Sequence, residues 1–500
     1  MKRQSKCMNF GSTFTPIKTE NTLNQSKTPL ATALFEESKM QRVAFDVPGH
    51  KGNLKELGDY FGEQALMLDK NSRVSIDNIC QPTGVILQAE RLAAQAFKAK
   101  HAFFMVGGTT SSVQAMIMSA ILPGEKIILP RNVHASVING VILSGGVPVY
   151  VNPGVHEEFG IPLGMHLNDV KEAILLNPDA KAILVNNPTY YGVCSDLKGI
   201  VEFSHRYGLK VLADEAHGTH FYFGDELPLS AMAAGADMAA VSMHKTGGSL
   251  TQSSLLLIGD GIDEQYVRQI INLSMTTSAS YLLLASIDIA RKKLATDGKK
   301  IINSLKALSQ KTVKRINEGK VFRAFEREKM VKAYGVYDFD PIKISINTEK
   351  IGLAGIEVYN ILLNEYNVQM EFGDISNVLA LPALGDDEQN FERLVFAVND
   401  IAKKYSGNNT PKYRYEYIQP VVKLAPRTAF YFPKERVNLS EAEGRISGEF
   451  VACYPPGIPL LAPGELITKE IIEHVEYSQS KGCKIIGGTG NKIEKIQVVK

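Results

Sequence analysis

An α/β fold built on a mainly parallel sheet follows from three observations on this sequence. From about residue 100, short β-rich apolar runs alternate with amphipathic stretches of helical length, the pattern that βαβ crossovers leave in a chain. The 500 residues include 44% apolar side chains, enough to bury a large core. Several chemistry-bearing residues fall just after the runs that read as strands, the edge at which such sheets bind ligands.

Residues 1–45 are polar and weakly patterned, which predicts an arm or loose helix. Residues 102–106 read as the first strand; they end in Gly107 and Gly108 and lead to a helix over 112–121. A strand at 126–129, a helix at 134–143 and a strand at 147–151 follow. Residues 182–185 form a further strand, and Asp196 starts a helix running to 207. The strand 210–213 ends at Asp214, and the strand 238–242 ends three residues before Lys245. These elements make a large domain over 46–320. The Lys-rich helical stretch 288–320 leads into a smaller α+β domain over 321–406, where Pro341-Ile342-Lys343-Ile344-Ser345-Ile346 alternates with helices. Gly407-Asn408-Asn409-Thr410-Pro411 reads as a linker to a last segment, 412–500. No internal repeat or low-complexity tract is present.

Charge and cysteine usage exclude several classes. With 55 basic against 53 acidic residues there is no electrostatic case for nucleic acid or a membrane surface as main partner. No apolar run is long enough to span a bilayer. The first ten residues carry basic groups but no apolar core behind them, unlike a secretory signal. The cysteines at 7, 80, 194, 453 and 483 are scattered without a C-x-x-C pair. That argues against a zinc site or disulfide framework and predicts free thiols in the cytoplasm.

Ser242-Met243-His244-Lys245 lies 31 residues after Asp214-Glu215-Ala216-His217, counted from Asp214 to Lys245. A lysine able to form a Schiff base and a buried carboxylate able to keep a pyridinium nitrogen protonated are what pyridoxal 5'-phosphate (PLP) chemistry needs. Lys245 follows an apolar strand and precedes Thr246-Gly247-Gly248-Ser249, small residues that let a ligand approach; the alternative is a surface lysine. Asp214 ends an apolar run, where an unpaired charge is costly; the alternative is a helix cap. Gly107-Gly108-Thr109-Thr110-Ser111, between strand and helix, suits a phosphate dianion, with Gly108, Thr109, Thr110 and Ser111 as candidate ligands. Ser242 and His244 flank Lys245 and suit the same phosphate. His134 is placed to stack on the cofactor ring, or is structural. His217 is placed to orient the ring, or is an ordinary structural histidine. Asn187-Pro188-Thr189-Tyr190-Tyr191-Gly192 is a strand-end loop suited to the cofactor hydroxyl or, at Thr189, the substrate.

On these motifs the chain resembles the PLP-dependent ornithine/lysine/arginine decarboxylases of aspartate-aminotransferase (type I) fold. The resemblance also rests on Pro48-Gly49-His50-Lys51-Gly52, on Tyr454-Pro455-Pro456-Gly457-Ile458-Pro459 and on Pro463-Gly464-Glu465. Gly247-Gly248-Ser249-Leu250-Thr251-Gln252-Ser253-Ser254 and Ser280-Tyr281-Leu282-Leu283-Leu284-Ala285-Ser286 are most similar to the short arginine decarboxylases of Gram-positive bacteria. The resemblance implies Lys245 as the Schiff-base lysine, Asp214 as the partner of the pyridinium nitrogen and His134 as the stacking group. It implies Thr110, Ser111, Ser242 and His244 as phosphate ligands. Many relatives have asparagine where Gly107 stands. The segment 276–280, with Thr277, is similar to a loop that reaches a neighbouring subunit's cofactor, implying a homodimer or larger homo-oligomer with shared sites. Glu465 is a candidate for the pocket that receives the substrate's distal cation, or a helix N-terminal acid. The implied reaction is decarboxylation of arginine to agmatine, toward polyamines. Lysine and ornithine remain as substrates, and transamination, β-elimination or a non-catalytic regulatory role as rivals. His217 and Lys245 both qualify as proton donor.

Overall fold

The computed structural model describes residues 23–40, 42–405, 418–454, 458–480, 482–487 and 492–500. The 407–411 linker, most of the N-terminal arm and Pro455 to Gly457 therefore lie outside the described residues.

A seven-stranded sheet carries the large unit: β1 (His101–Met105), β2 (Lys126–Pro130), β3 (Val147–Val151), β4 (Ala182–Asn186), β5 (Lys210–Glu215), β6 (Met238–Ser242) and β7 (Ser254–Ile258). Their spatial order is β1-β7-β6-β5-β4-β2-β3. β3, β2, β4, β5 and β6 pair in parallel, and β7 alone runs antiparallel, between β6 and β1. β4 and β5 read as unbroken apolar runs because helices cover both sheet faces. Six of these strands coincide with the sequence expectation. β7 was not foreseen: Ser254-Leu255-Leu256-Leu257-Ile258 returns from β6 after the irregular connection 243–253, without a crossover helix.

Local chemistry sets the helix ends that matter here. The helix Leu197–Arg206 is capped by Asp196, which accepts the Gly199 N–H at 3.0 Å. The helix Ala135–Ser144 ends at Gly145, whose φ of +77° suits glycine at a left-handed C-cap. A 38-residue helix, Tyr281–Glu318, spans about 57 Å. Its Leu284, Ile287 and Leu294 pack into the large core. Its Ile302, Leu305 and Ile316 pack into a second core with Ile344, Ile346, Val358 and Val398. A third cluster, around Leu439, Val451, Leu461, Ile472 and Val498, holds the last segment.

The expectation of a loose N-terminal arm does not hold for the helix Pro29–Lys39. Leu30 and Leu34 are buried in the main core. Asp288, itself fully buried, accepts the Leu30 N–H at 3.0 Å and so replaces the side-chain cap that Thr28 does not make. Arg291 pairs with Asp288 at 2.5 Å and donates to the carbonyls of Gln25 and Lys27. Asp288→Ala leaves a buried guanidinium without its counter-charge. A loss of about 3–5 kcal/mol in denaturant unfolding is expected, whereas Asp297→Ala on the exposed face of the same helix stays within about 0.5 kcal/mol.

Candidate active site

The C-terminal ends of β4, β5 and β6 and the helix starts beside them enclose a cavity of about 570 Å³. Gly107, Gly108, Thr109, Thr110, His134, Thr189, Asp214, His217, Ser242, His244 and Lys245 all line it, gathered from positions up to 138 residues apart. Parallel topology explains the convergence, because each crossover returns the chain to the same edge of the sheet.

Asp214 is the penultimate residue of β5, 8% exposed and in register with Asn186 on β4 and Ala240 on β6. Its Oδ1 accepts the Ala216 N–H at 3.1 Å. The next residue, Glu215, points to the opposite side of the strand. Tyr222, Asn187 and the Ala231 N–H hydrogen-bond it there, and burial pushes its carboxyl up to about 8. Lys245 lies beyond β6, its Nζ 2.9 Å from His217 Nε2 and 5.8 Å from the centre of the Tyr190 ring. Burial holds its ammonium below the usual lysine range, opposed by Asp214 and Glu371.

The end of the cavity at residues 107–110 is dense in donors. The helix Gly108–Ala120 begins there, and its first-turn amides have no intrahelical partner. Gly108 N–H is already committed to the Gln252 carbonyl at 2.8 Å. Thr109 Oγ1 bonds Ser242 Oγ and lies 3.1 Å from Ser254 Oγ. His244 donates Nδ1–H to the Ser253 carbonyl at 2.9 Å, which fixes Nε2 as the ring's acceptor when neutral. A Cβ at Gly107 would sit 2.0 Å from Ser111 Oγ, so asparagine there would force Ser111 to move. Ser111 itself donates to the Gly107 carbonyl at 3.1 Å and does not line the cavity.

His134 caps the helix Ala135–Ser144 by accepting the Ser136 N–H at 3.2 Å, and it is the exposed member of a mostly buried run. Thr189 is buried, and its hydroxyl accepts the Val193 N–H at 3.1 Å, which closes the Thr189–Val193 turn. Besides Ser111, two expected residues are placed elsewhere. Glu465 is 1% exposed and pairs with Arg131 at 2.8 Å while accepting the Ala462 N–H. Its carboxylate thus ties the last segment to the end of β2 and is absent from the cavity wall. Thr277 lies on an exposed loop away from the cavity of its own chain.

Three residues escaped the sequence reading. Glu371 lines the cavity and accepts the Tyr190 hydroxyl at 2.7 Å. Asn132 and Asn186 also line it, with buried Oδ1 atoms that have no partner among the described residues. Buried acceptors are rarely left so, and both suit a ligand carrying a donor. None of the three belongs to a recognisable spacing.

A lysine and an aspartate facing one cavity at the ends of parallel strands define an enzyme of the aspartate-aminotransferase-like fold class. The chain matches the description "Orn/Lys/Arg decarboxylase, major domain" over residues 28–390 and "Orn/Lys/Arg decarboxylase, C-terminal domain" over 415–487. It belongs to that family. It is 42% identical to an arginine decarboxylase of Bacillus subtilis, over 96% of this chain and 99% of the relative. An arginine decarboxylase of Bacillus anthracis is 40% identical over 96% and 98%. A lysine decarboxylase structure from Francisella novicida superposes with a TM-score of 0.84 at 22% identity, covering 95% of this chain and 81% of that one.

Proposed function

We propose that the protein decarboxylates L-arginine to agmatine with pyridoxal 5'-phosphate, and so feeds polyamine synthesis. The observation that carries this reading is Lys245 and Asp214 facing one cavity in a chain that matches short arginine decarboxylases along nearly its whole length. The cofactor fits the residues present. The helix start at Gly108 with Thr109, Thr110, Ser242 and His244 matches a phosphate, Lys245 an aldehyde, and the unpartnered Asn132 and Asn186 oxygens a donor on the ring or the substrate. When bound, pyridoxal phosphate supplies an electron sink for the pair released with carbon dioxide.

The chain's own groups do the rest. Asp214 would hold a proton on the ring nitrogen by placing a negative charge beside it. Lys245, its proton affinity lowered by burial, is the amine that binds and releases the aldehyde carbon. His134, on the cavity wall, would cover one face of the ring. Thr189 and Tyr190 line the cavity and would shape the substrate side, and His217 and Lys245, hydrogen-bonded to each other at the cavity, would carry the proton to the substrate.

Two carboxylates line the cavity among the described residues, Asp214 and Glu371. With Glu465 engaged by Arg131, Glu371 is the acid we assign to the substrate's distal cation. Glu371→Gln is expected to raise KM for arginine about 10–100-fold with kcat within threefold, the loss of one charge-assisted contact. An equal fall in kcat would assign Glu371 to the chemistry instead.

A homodimer with shared sites accords with the exposed apolar side chains of Val43, Phe45, Tyr60, Phe61 and Val74, which a second copy would bury. Sedimentation velocity of the loaded protein reads this directly. No helix among the described residues is long and apolar enough to cross a membrane. Cys80, Cys194 and Cys483 are free thiols, consistent with placement in the cytoplasm.

The deciding experiment is product mass spectrometry after separate incubation with L-arginine, L-lysine and L-ornithine. Agmatine as main product is expected. Cadaverine or putrescine would keep the reaction and change the substrate, and no amine from any of the three would overturn the reading.

A further inference from the structure

Lys343 comes from the smaller α+β unit, just before the strand Ile344–Asn347, yet its side chain ends behind the cavity at 1% exposure. Its Nζ lies 2.8 Å from the Tyr190 carbonyl and 3.0 Å from His217 Nδ1. The other nitrogen of that ring is the one 2.9 Å from Lys245 Nζ. One imidazole thus joins two lysines, and its proton count is constrained. A neutral imidazole has one N–H and one lone pair, so it accepts from one lysine and donates to the other. The lysine that accepts must be a free amine. An imidazolium would donate at both ends and need two amines. In every arrangement that makes both hydrogen bonds, the three bases share at most one excess proton, and that proton is present when the donating lysine is an ammonium.

Resting on the reading of Lys245 as the reacting amine, we propose that Lys343 stores this proton and, through His217, sets the protonation of Lys245. In the stored state the Lys343 ammonium donates to Nδ1, and Nε2–H donates to the lone pair of Lys245, which is held as a nucleophilic amine. In the delivered state a proton has passed from Lys343 to Nδ1 and another from Nε2 to Lys245 Nζ. Two N–H bonds break and two form, and no electron pair leaves its nitrogen. Decarboxylation consumes one proton per turnover, and this array brings one to the edge of the cavity without admitting water.

Charged groups face every member of the array. Burial, helped by the Lys245 charge, brings Lys343 down to about 8, and Asp340, Glu371 and Cys194 offset part of that fall. Burial and the two lysines hold His217 well below its usual range, which disfavours the imidazolium; His134 and His220 also face it. Asp214 and Glu371 are the carboxylates facing Lys245. Lys343 is therefore a positioning residue: it touches His217, not the substrate.

The test labels Lys245 of the full chain, stripped of cofactor, with pyridoxal phosphate and borohydride across a pH series, read by peptide mass spectrometry. Lys343→Met is expected to raise the pH of half-labelling by about one unit, since Lys245 must then hold the proton itself. That rise is expected to vanish when Lys343→Met is made on a His217→Phe background. An equal rise with and without His217 would reduce Lys343 to a through-space charge and overturn the relay, as would no rise. The unmutated chain gives a second reading, in which nitrogen-15 spectra of its histidines report the His217 tautomer at neutral pH, assigned by difference from His217→Phe. Nε2–H is expected, and Nδ1–H would overturn the proposal even if Lys343→Met fails to fold. Lys245 unlabelled at every pH would overturn the function reading, and the nitrogen spectra would still decide the proton array.

Discussion

Lys245→Ala is expected to abolish the borohydride-reducible bond to the cofactor and to lower turnover by at least about four orders of magnitude, the scale seen when a covalent catalyst is removed. The size follows from how the cavity is built. Lys245 is the lysine among its lining residues, so no second amine is in place to take over. Lys343 is the nearest substitute, and the Tyr190 carbonyl and His217 ring hold it behind the cavity wall. The variant is expected to fold, because the side chain is only partly buried and its nearest polar partner is a single histidine nitrogen. An unchanged thermal melt with no reducible bond in the peptide map separates lost chemistry from lost structure. Turnover within tenfold of the parent would remove Lys245 from the centre of the mechanism.

Much of this was legible before any coordinates. Six sheet strands announce themselves because burial on both faces makes them continuous apolar runs. Lys245 and Asp214 stand out because both follow such runs, where charge is costly. What stayed hidden depends on distance in the chain. The Arg131–Glu465 pair spans 334 residues, and nothing in the sequence around Glu465 says that its carboxylate is already occupied. The packing of the helix Pro29–Lys39 depends on a cap supplied by Asp288, on a helix that starts more than 250 residues later. Lys343 did leave a trace, as the one charge inside Pro341-Ile342-Lys343-Ile344-Ser345-Ile346. The run marks it as buried, but only the fold shows which ring it meets.

Asp214→Ala is expected to lower kcat about 10²–10³-fold, the usual effect of removing one preorganised electrostatic partner of a charge that builds in the transition state. The neighbouring acid cannot compensate. Glu215 faces away from Asp214 across the pleat, is fully buried, and has both oxygens engaged by Tyr222, Asn187 and the Ala231 N–H. Burial also pushes its carboxyl up to about 8, which diminishes the negative charge it could offer near neutral pH. Asp214→Asn makes the sharper comparison. The amide keeps the shape and can still accept the Ala216 N–H through its oxygen, but it carries no charge to hold a proton on the ring nitrogen. Equal losses in Asp214→Asn and Asp214→Ala, with cofactor retained in the first, would assign the effect to charge and not to packing. A near-parental rate in Asp214→Asn would mean that another group protonates the ring, and His134, at the same cavity, would be the first to replace.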